Sequence, residues 1–269
     1  MAFVDKYKES VRKNKAIVYN GLEFKPLTVE YIGIYQAAKP SFELMQSSLP
    51  PKLAVLSWCN CLDTMDRQAA EAGMTTYFLT FALTVMALSL GLELMGNNTF
   101  PLREARDKDG NIVAFLVGTS NPVLLNASDM DEIRRIIAAQ NLYEIPDESW
   151  NPDLVRAKKH QESLGHSDID FNIDDLIYSV ALNAHVKPEE IWDWTIRDFL
   201  MIQDAIDRKL NYQIFMTAEH SGFVKFQRGN PYPTWKYNRR PEMPNGFVTV
   251  AQLDAGAKGL LGVTTKEIE

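Results

Sequence analysis

The sequence predicts a mainly α fold: one or more helical domains, two short β-hairpins and an extended C-terminal tail. Three observations predict it. Most of the chain carries apolar residues at helical spacing. Two turn signals, Asn20-Gly21 and "DKDG" at 107–110, each separate short strand-like runs. From Phe223 onward Pro231, Pro233, Pro241 and Pro244 with several glycines interrupt any regular element.

The elements follow in order. "AIVYNGLEFKPL" places Asn20-Gly21 where a type I′ turn needs positive φ at two successive residues. Thr28 is the expected N-cap of a helix over "VEYIGIYQAAK", which Pro40 should stop. "SFELMQSSLPP" predicts a short helix closed by Pro50-Pro51. "KLAVLSWCNCLDTMDRQAAEA" predicts one longer helix ending near Gly73, and an uncharged helix follows. "FPLREARDKDGNIVAFLV" is the second hairpin, and "GTSNPVLLNAS" reads as a connector. Ser128 with Asp131 resembles a capping box for "DMDEIRRIIAAQN". There Met130, Ile133, Ile136 and Ile137 form the inner face, and Asp131 is set to pair with Arg135. "IDDLIYSVALNAH" is a further helix, with Asp174 and Asp175 in its first turn. A helical run from "KPEEI" to Gly222 has apolar residues on more than one face and is expected inside a domain. These elements divide the chain at 1–126, 127–228 and 229–269.

Bulk properties narrow the function classes. A chain of 269 residues can bury a core. Its net charge of −7 opposes a nucleic-acid partner outside a local basic patch. Cys59 and Cys61 are too close for a disulfide with each other, which fits a reducing cytoplasm. The N-terminus shows no secretory signal pattern. Residues 72–92, "AGMTTYFLTFALTVMALSLGL", carry no charge. A helix buried on all sides is the first expectation there; a bilayer span is the alternative.

The candidate chemistry dissolves on inspection. Glu219, His220 and Ser221 are adjacent, so on a helix their side chains point about 100° apart. A catalytic triad instead brings its members from separate segments. Gly222 gives the stretch a simpler role as a helix end, with His220 near the negative pole of the dipole. Cys59 and Cys61 at i,i+2 cannot share a zinc ion, and the histidines at 160, 166, 185 and 220 show no ligand spacing. "DIDFNIDD" at 168–175 fails the calcium-loop pattern, because Ile173 and Ser179 stand where Gly and Glu are needed. "RDKDGN" fails the same pattern at Leu116. No phosphate-binding loop or nucleophile elbow is present. The sequence therefore assigns no catalytic residue, no metal and no cofactor.

One constellation remains. "KFQRGNPYPTWKYNRR" gathers Lys225, Arg228, Lys236, Arg239 and Arg240 among Phe226, Tyr232, Trp235 and Tyr237. Such a mixture can stack nucleic acid or dock on an acidic protein surface. The acidic chain favours the protein partner. Tyr232, Trp235, Tyr237, Arg239 and Arg240 are the candidate partner-binding residues.

Several stretches carry a resemblance: "YNGLEFKPLTVEYIGIYQAAKPSFELMQSSLP", "ASDMDEIRRIIAAQN", "NPDL", "TIRDFLMIQDAIDRKLNYQIFMTAEHSGFVKF" and "GNPYPTW". Together they resemble a family of tail-assembly or baseplate-assembly proteins from tailed phages and prophages of Gram-positive bacteria. The resemblance implies a mostly helical, non-enzymatic protein that handles other tail proteins. It implies no particular functional residue. The expectation is a tail-assembly factor that binds another tail component, such as the tape-measure protein, in the host cytoplasm. A permanent subunit of the tail or baseplate, present in the virion and self-associating, is the alternative. A hydrolase using His220, or a protein anchored through 72–92, are the competing classes.

Overall fold

The structure is a computed structural model that describes residues 2–92, 102–118, 122–148 and 172–222, together with positions 151, 153, 157, 226, 230, 232 and 234–236; side chains are described from Tyr7 onward. It is mainly helical with two small antiparallel sheets. The chain divides into two compact units, 1–203 and 204–269. Residues 127–203 thus belong with 1–126.

The first unit begins with α1 (Ala2–Arg12) and the hairpin β1 (Ile17–Tyr19) and β2 (Leu22–Phe24). Asn20 and Gly21 have φ of 48° and 77°, as a type I′ turn requires. Ile17 pairs with Phe24, and both are buried. Tyr19 Oη and Asn20 Nδ2 both donate to Asp129 Oδ1, at 2.9 and 2.8 Å. That carboxylate ties the hairpin turn to a helix more than a hundred residues away. Burial and the Asp129 hydrogen bond push the Tyr19 phenol up to about 12.

Thr28 precedes a 3₁₀ turn, Val29–Tyr31, with no side-chain cap, and α2 (Ile32–Phe42) follows. Pro40 lies inside α2 rather than ending it; the helix continues for two residues. The proline costs α2 its own N–H bond and crowds the Gln36 carbonyl one turn back, while the buried Ser41 and Phe42 hold the two residues that follow in place. The expected helix after it is a 3₁₀ turn, Gln46–Ser48, and the expected helix after Pro51 splits into α3 (Pro51–Ala54) and α4 (Trp58–Glu71).

α5 (Phe78–Ser89) is the uncharged helix and is only 12 residues long. No helix among the described residues is long and apolar enough to cross a membrane. Leu79, Ala82, Leu83, Val85, Met86 and Ala87 are buried, and α5 packs on α2 and α4. Its N-terminal amides are capped from α4. Asp66 Oδ1 accepts from Phe78 N and Thr76 Oγ1, and Asp66 Oδ2 accepts from Leu79 N. A carboxylate at a helix N-terminus satisfies orphan donors and complements the dipole.

The second hairpin is β3 (Leu102–Arg106) and β4 (Ile112–Val117), extended by β5 (Val123–Asn126), where the sequence predicts a connector. α4 clamps this sheet. Asn60 exchanges two hydrogen bonds with the backbone of Ile112, and Arg106 grips Asp63 through two nitrogens at 2.9 Å. Arg67 adds a third contact to Asp63 at 3.0 Å.

α6 (Ala127–Asn141) opens with a capping box formed by Asn126 and Asp129, not by Ser128 and Asp131. Strand β5 ends at Asn126, so the chain turns one residue pair earlier than the sequence suggested. Arg135 pairs with Glu132 at 3.5 Å rather than with Asp131. Met130, Ile133, Ile136 and Ile137 are buried as expected. Below them an aromatic column stacks Tyr35 on Tyr143 and Tyr143 on Phe42, both with centroids 4.4 Å apart.

α7 (Ile173–Ala184) has Asp174 and Asp175 in its first turn and Asn172 as its cap. The long C-terminal helix is interrupted: α8 (Pro188–Ile191) precedes α9 (Ile196–His220).

Candidate protein-binding surface

α9 is anchored at its start. Residues 27–30 and 192–196 form a short ribbon: Val29 N donates to Trp194 O, Glu30 N to Trp192 O and Ile196 N to Leu27 O. Arg197 Nη1 donates to Ala139 O, and Asn14 Nδ2 donates to Asp198 Oδ2. Ile196 and Phe199 are fully buried. Beyond Phe199 no side chain of α9 is buried. The helix expected inside a domain is therefore inside only at its first turn. Apolar residues on several faces cannot by themselves distinguish a buried helix from one with uncovered faces.

The second unit contains the rest of α9 and the described positions after it. Phe215 is the centre of a small aromatic cluster, 5.5 Å from Phe226 and 5.0 Å from Tyr232 between centroids. Asn230 holds the returning chain: its Nδ2 donates to Glu219 Oε2 and to Met216 Sδ, and its Oδ1 accepts from Tyr232 N. Lys236 N donates to Thr234 Oγ1. Arg208 pairs with Asp204 one turn earlier. The 208, 212, 215, 216 and 219 positions share one side of the helix, facing the return chain at Phe215, Met216 and Glu219. Leu210 and Ile214, at i,i+4, lie on the other side and are 43% and 63% exposed. Trp235 is 43% exposed.

The five expected partner-binding residues thus fare differently. Tyr232 is half-buried and packs on Phe215, so it anchors the return chain. Trp235 presents its indole outward. Tyr237, Arg239 and Arg240 lie outside the described residues. Leu210 and Ile214 are surface residues where the sequence predicts core; their i,i+4 spacing fits either.

Elsewhere the candidate chemistry stays dispersed. Glu219 accepts from Asn230, His220 Nδ1 lies 2.8 Å from Met216 O, and Ser221 Oγ donates to Ala218 O. Each of the three engages a different group, and all three are exposed. Gly222, with φ of 74°, follows them. Residues 168–171 of the acidic stretch lie outside the described residues. Among the described residues no group of three or more His, Cys, Asp or Glu side chains is placed to hold a metal ion. Cys59 and Cys61 are buried, and burial drives both thiols upward from their ordinary range. A void of about 10 Å³, lined by Cys59, Phe115, Met130 and neighbours, has room for roughly one water. At the Asp63 cluster, hydrogen bonding by Arg106 holds the carboxyl below its usual value. Its geometry is that of a clamp between α4 and β3.

Set beside known proteins, the chain matches no family model, no curated protein and no solved structure.

Proposed function

We propose that this chain is a protein-binding component of phage tail assembly, acting as a chaperone-like holder of another tail component such as the tape-measure protein. The observation that carries the binding role is the exposed apolar set Leu210, Ile214 and Trp235 in the second unit. An aromatic residue and aliphatic neighbours, with Lys and Arg around them in sequence, form the composition of an interface anchor. An uncovered i,i+4 apolar pair on a helix suits contact with a partner helix. The tail-gene resemblance supports the biological setting.

The test is co-expression of the tagged chain with the products of neighbouring tail genes. Retention of one of them, weakened by Trp235→Ala or Ile214→Ser, supports the reading. Retention of none, or retention indifferent to both changes, rejects it. The permanent-subunit alternative is decided by mass spectrometry of purified virions, where abundant peptides from this chain select the structural role.

A further inference from the structure

A second exposed apolar face lies on α7. Tyr178 and Leu182, at i,i+4, are 64% and 76% exposed, while Ile177, Val180 and Ala181, which form the neighbouring side of the helix, are buried. Asp174 continues the Tyr178–Leu182 row one turn toward the N-terminus, and Asp175 stands beside it; both are exposed. The following segment adds exposed Glu189, Glu190 and Asp193 and the part-exposed Trp192. Between 172 and 193 Lys187 is the only Lys or Arg, and His185 the only His. This is an apolar row with an acidic border.

The chain also carries the complement of such a face. Residues 223–240 hold Lys225, Arg228, Lys236, Arg239 and Arg240, no acidic residue, and five aromatic residues, Phe223, Phe226, Tyr232, Trp235 and Tyr237. We propose that the α7 face of one copy receives the end of the basic-aromatic segment, residues 235–240, of a second copy, the part beyond Phe226 and Tyr232, which pack on Phe215 of their own chain. The proposal rests on the reading of that segment as a docking element, and it names the acidic surface as a copy of this same chain. Apolar side chains meet Tyr178 and Leu182, and the arginines meet Asp174 and Asp175. Opposite charge steers the encounter and sets the register, so salt weakens it. Each copy supplies one face and one segment. The contact can therefore close reciprocally in a two-fold pair or repeat head-to-tail in a ring or array, and the association state measured below distinguishes them.

The test is sedimentation velocity on the full chain across the micromolar range, at about 50 mM and about 500 mM salt. The expected result is concentration-dependent association that weakens at the higher salt. Asp174→Lys with Asp175→Lys should weaken it at least about tenfold, and so should Arg239→Glu with Arg240→Glu. The chain carrying all four reversals should regain association. Tyr178→Ser with Leu182→Ser should also weaken it, with circular dichroism confirming that every variant keeps its helices. A wild-type chain that is monomeric throughout overturns the proposal. So does an oligomer indifferent to both pairs of reversals, or one that the fourfold variant does not restore. Association with these properties upholds the α7 interface even where no tail-gene product co-purifies, a result that counts against the tail-assembly role alone.

Discussion

Arg134 donates to the carbonyl of Phe42 through two of its nitrogens, at 3.1 and 2.6 Å, and one of them also donates to Leu44 O at 2.9 Å. Phe42 is the last residue of α2, so the guanidinium closes the carbonyl end of that helix from α6. Its flat face lies 5.1 Å from the centroid of Trp58. Burial works against the charge. The helix C-terminus and the indole ring offset that cost. One side chain therefore joins α2, α4 and α6.

Arg134→Ala should destabilise the first unit by about 3 kcal/mol, because it leaves buried carbonyls unpaired and removes packing against Trp58. Arg134→Lys should recover only part of this, since an ammonium lacks the planar fork. Urea unfolding measures both. A loss below about 1 kcal/mol for the alanine variant is incompatible with the role described.

Asp66 caps α5 across space, so its removal should act at a distance in sequence. Asp66→Ala should cost about 1–2 kcal/mol and speed amide exchange at Phe78 and Leu79. Asp66→Asn keeps one strong acceptor and should cost less. Unchanged exchange at those two amides would rule out the cap.

The Asp63–Arg106 clamp predicts an acid response. Asp63 has a folded pKa below the ordinary carboxylate value, first because Arg106 hydrogen-bonds its charged form. The stability linked to it is complete above the unfolded value, about pH 4, and is lost as the pH falls through the lower folded value. Asp63→Asn should flatten that part of the stability curve relative to wild type. Identical acid limbs for the two proteins would show that the clamp contributes nothing to it.

Buried thiols give a simple check on the packing of α4. Cys59 and Cys61 should resist alkylation in the native protein and react readily once unfolded, because burial raises both thiols and closes access. Rapid native labelling of either would mean that α4 is not packed as described.

Local signals were readable where a few adjacent residues decide the outcome. Asn20-Gly21 determines a turn by backbone sterics alone, and the apolar row of α6 follows from its period. The failures are of another kind. "VLLN" becomes β5 only because β4 is there to pair with it, and that pairing moves the cap from Ser128 to Asn126. The Asp66 cap and the Arg134 closure join residues that share no local pattern. For the candidate surface, the basic and aromatic residues were visible as composition. The exposure of Leu210 and Ile214 was not, because an apolar residue in a helix reads the same whether or not something covers it.

The most direct test of the surface separates docking from folding within α9. Leu210 and Ile214 are exposed and make no described contact across the aromatic cluster, so Leu210→Ser with Ile214→Ser should change stability by no more than about 0.5 kcal/mol per site. The same variant should weaken capture of a tail component at least about tenfold, equivalent to about 1.4 kcal/mol. Phe215→Ser should behave differently. It removes the ring that Phe226 and Tyr232 pack on, so protection of the second unit in hydrogen exchange should fall. Trp235→Ala with Arg239→Ala and Arg240→Ala should match the Leu210/Ile214 pattern, with capture lost and exchange protection kept. If the serine pair unfolds the second unit, those side chains are part of its core. If capture survives both the serine pair and the Trp235 triple variant, the partner binds elsewhere on the molecule.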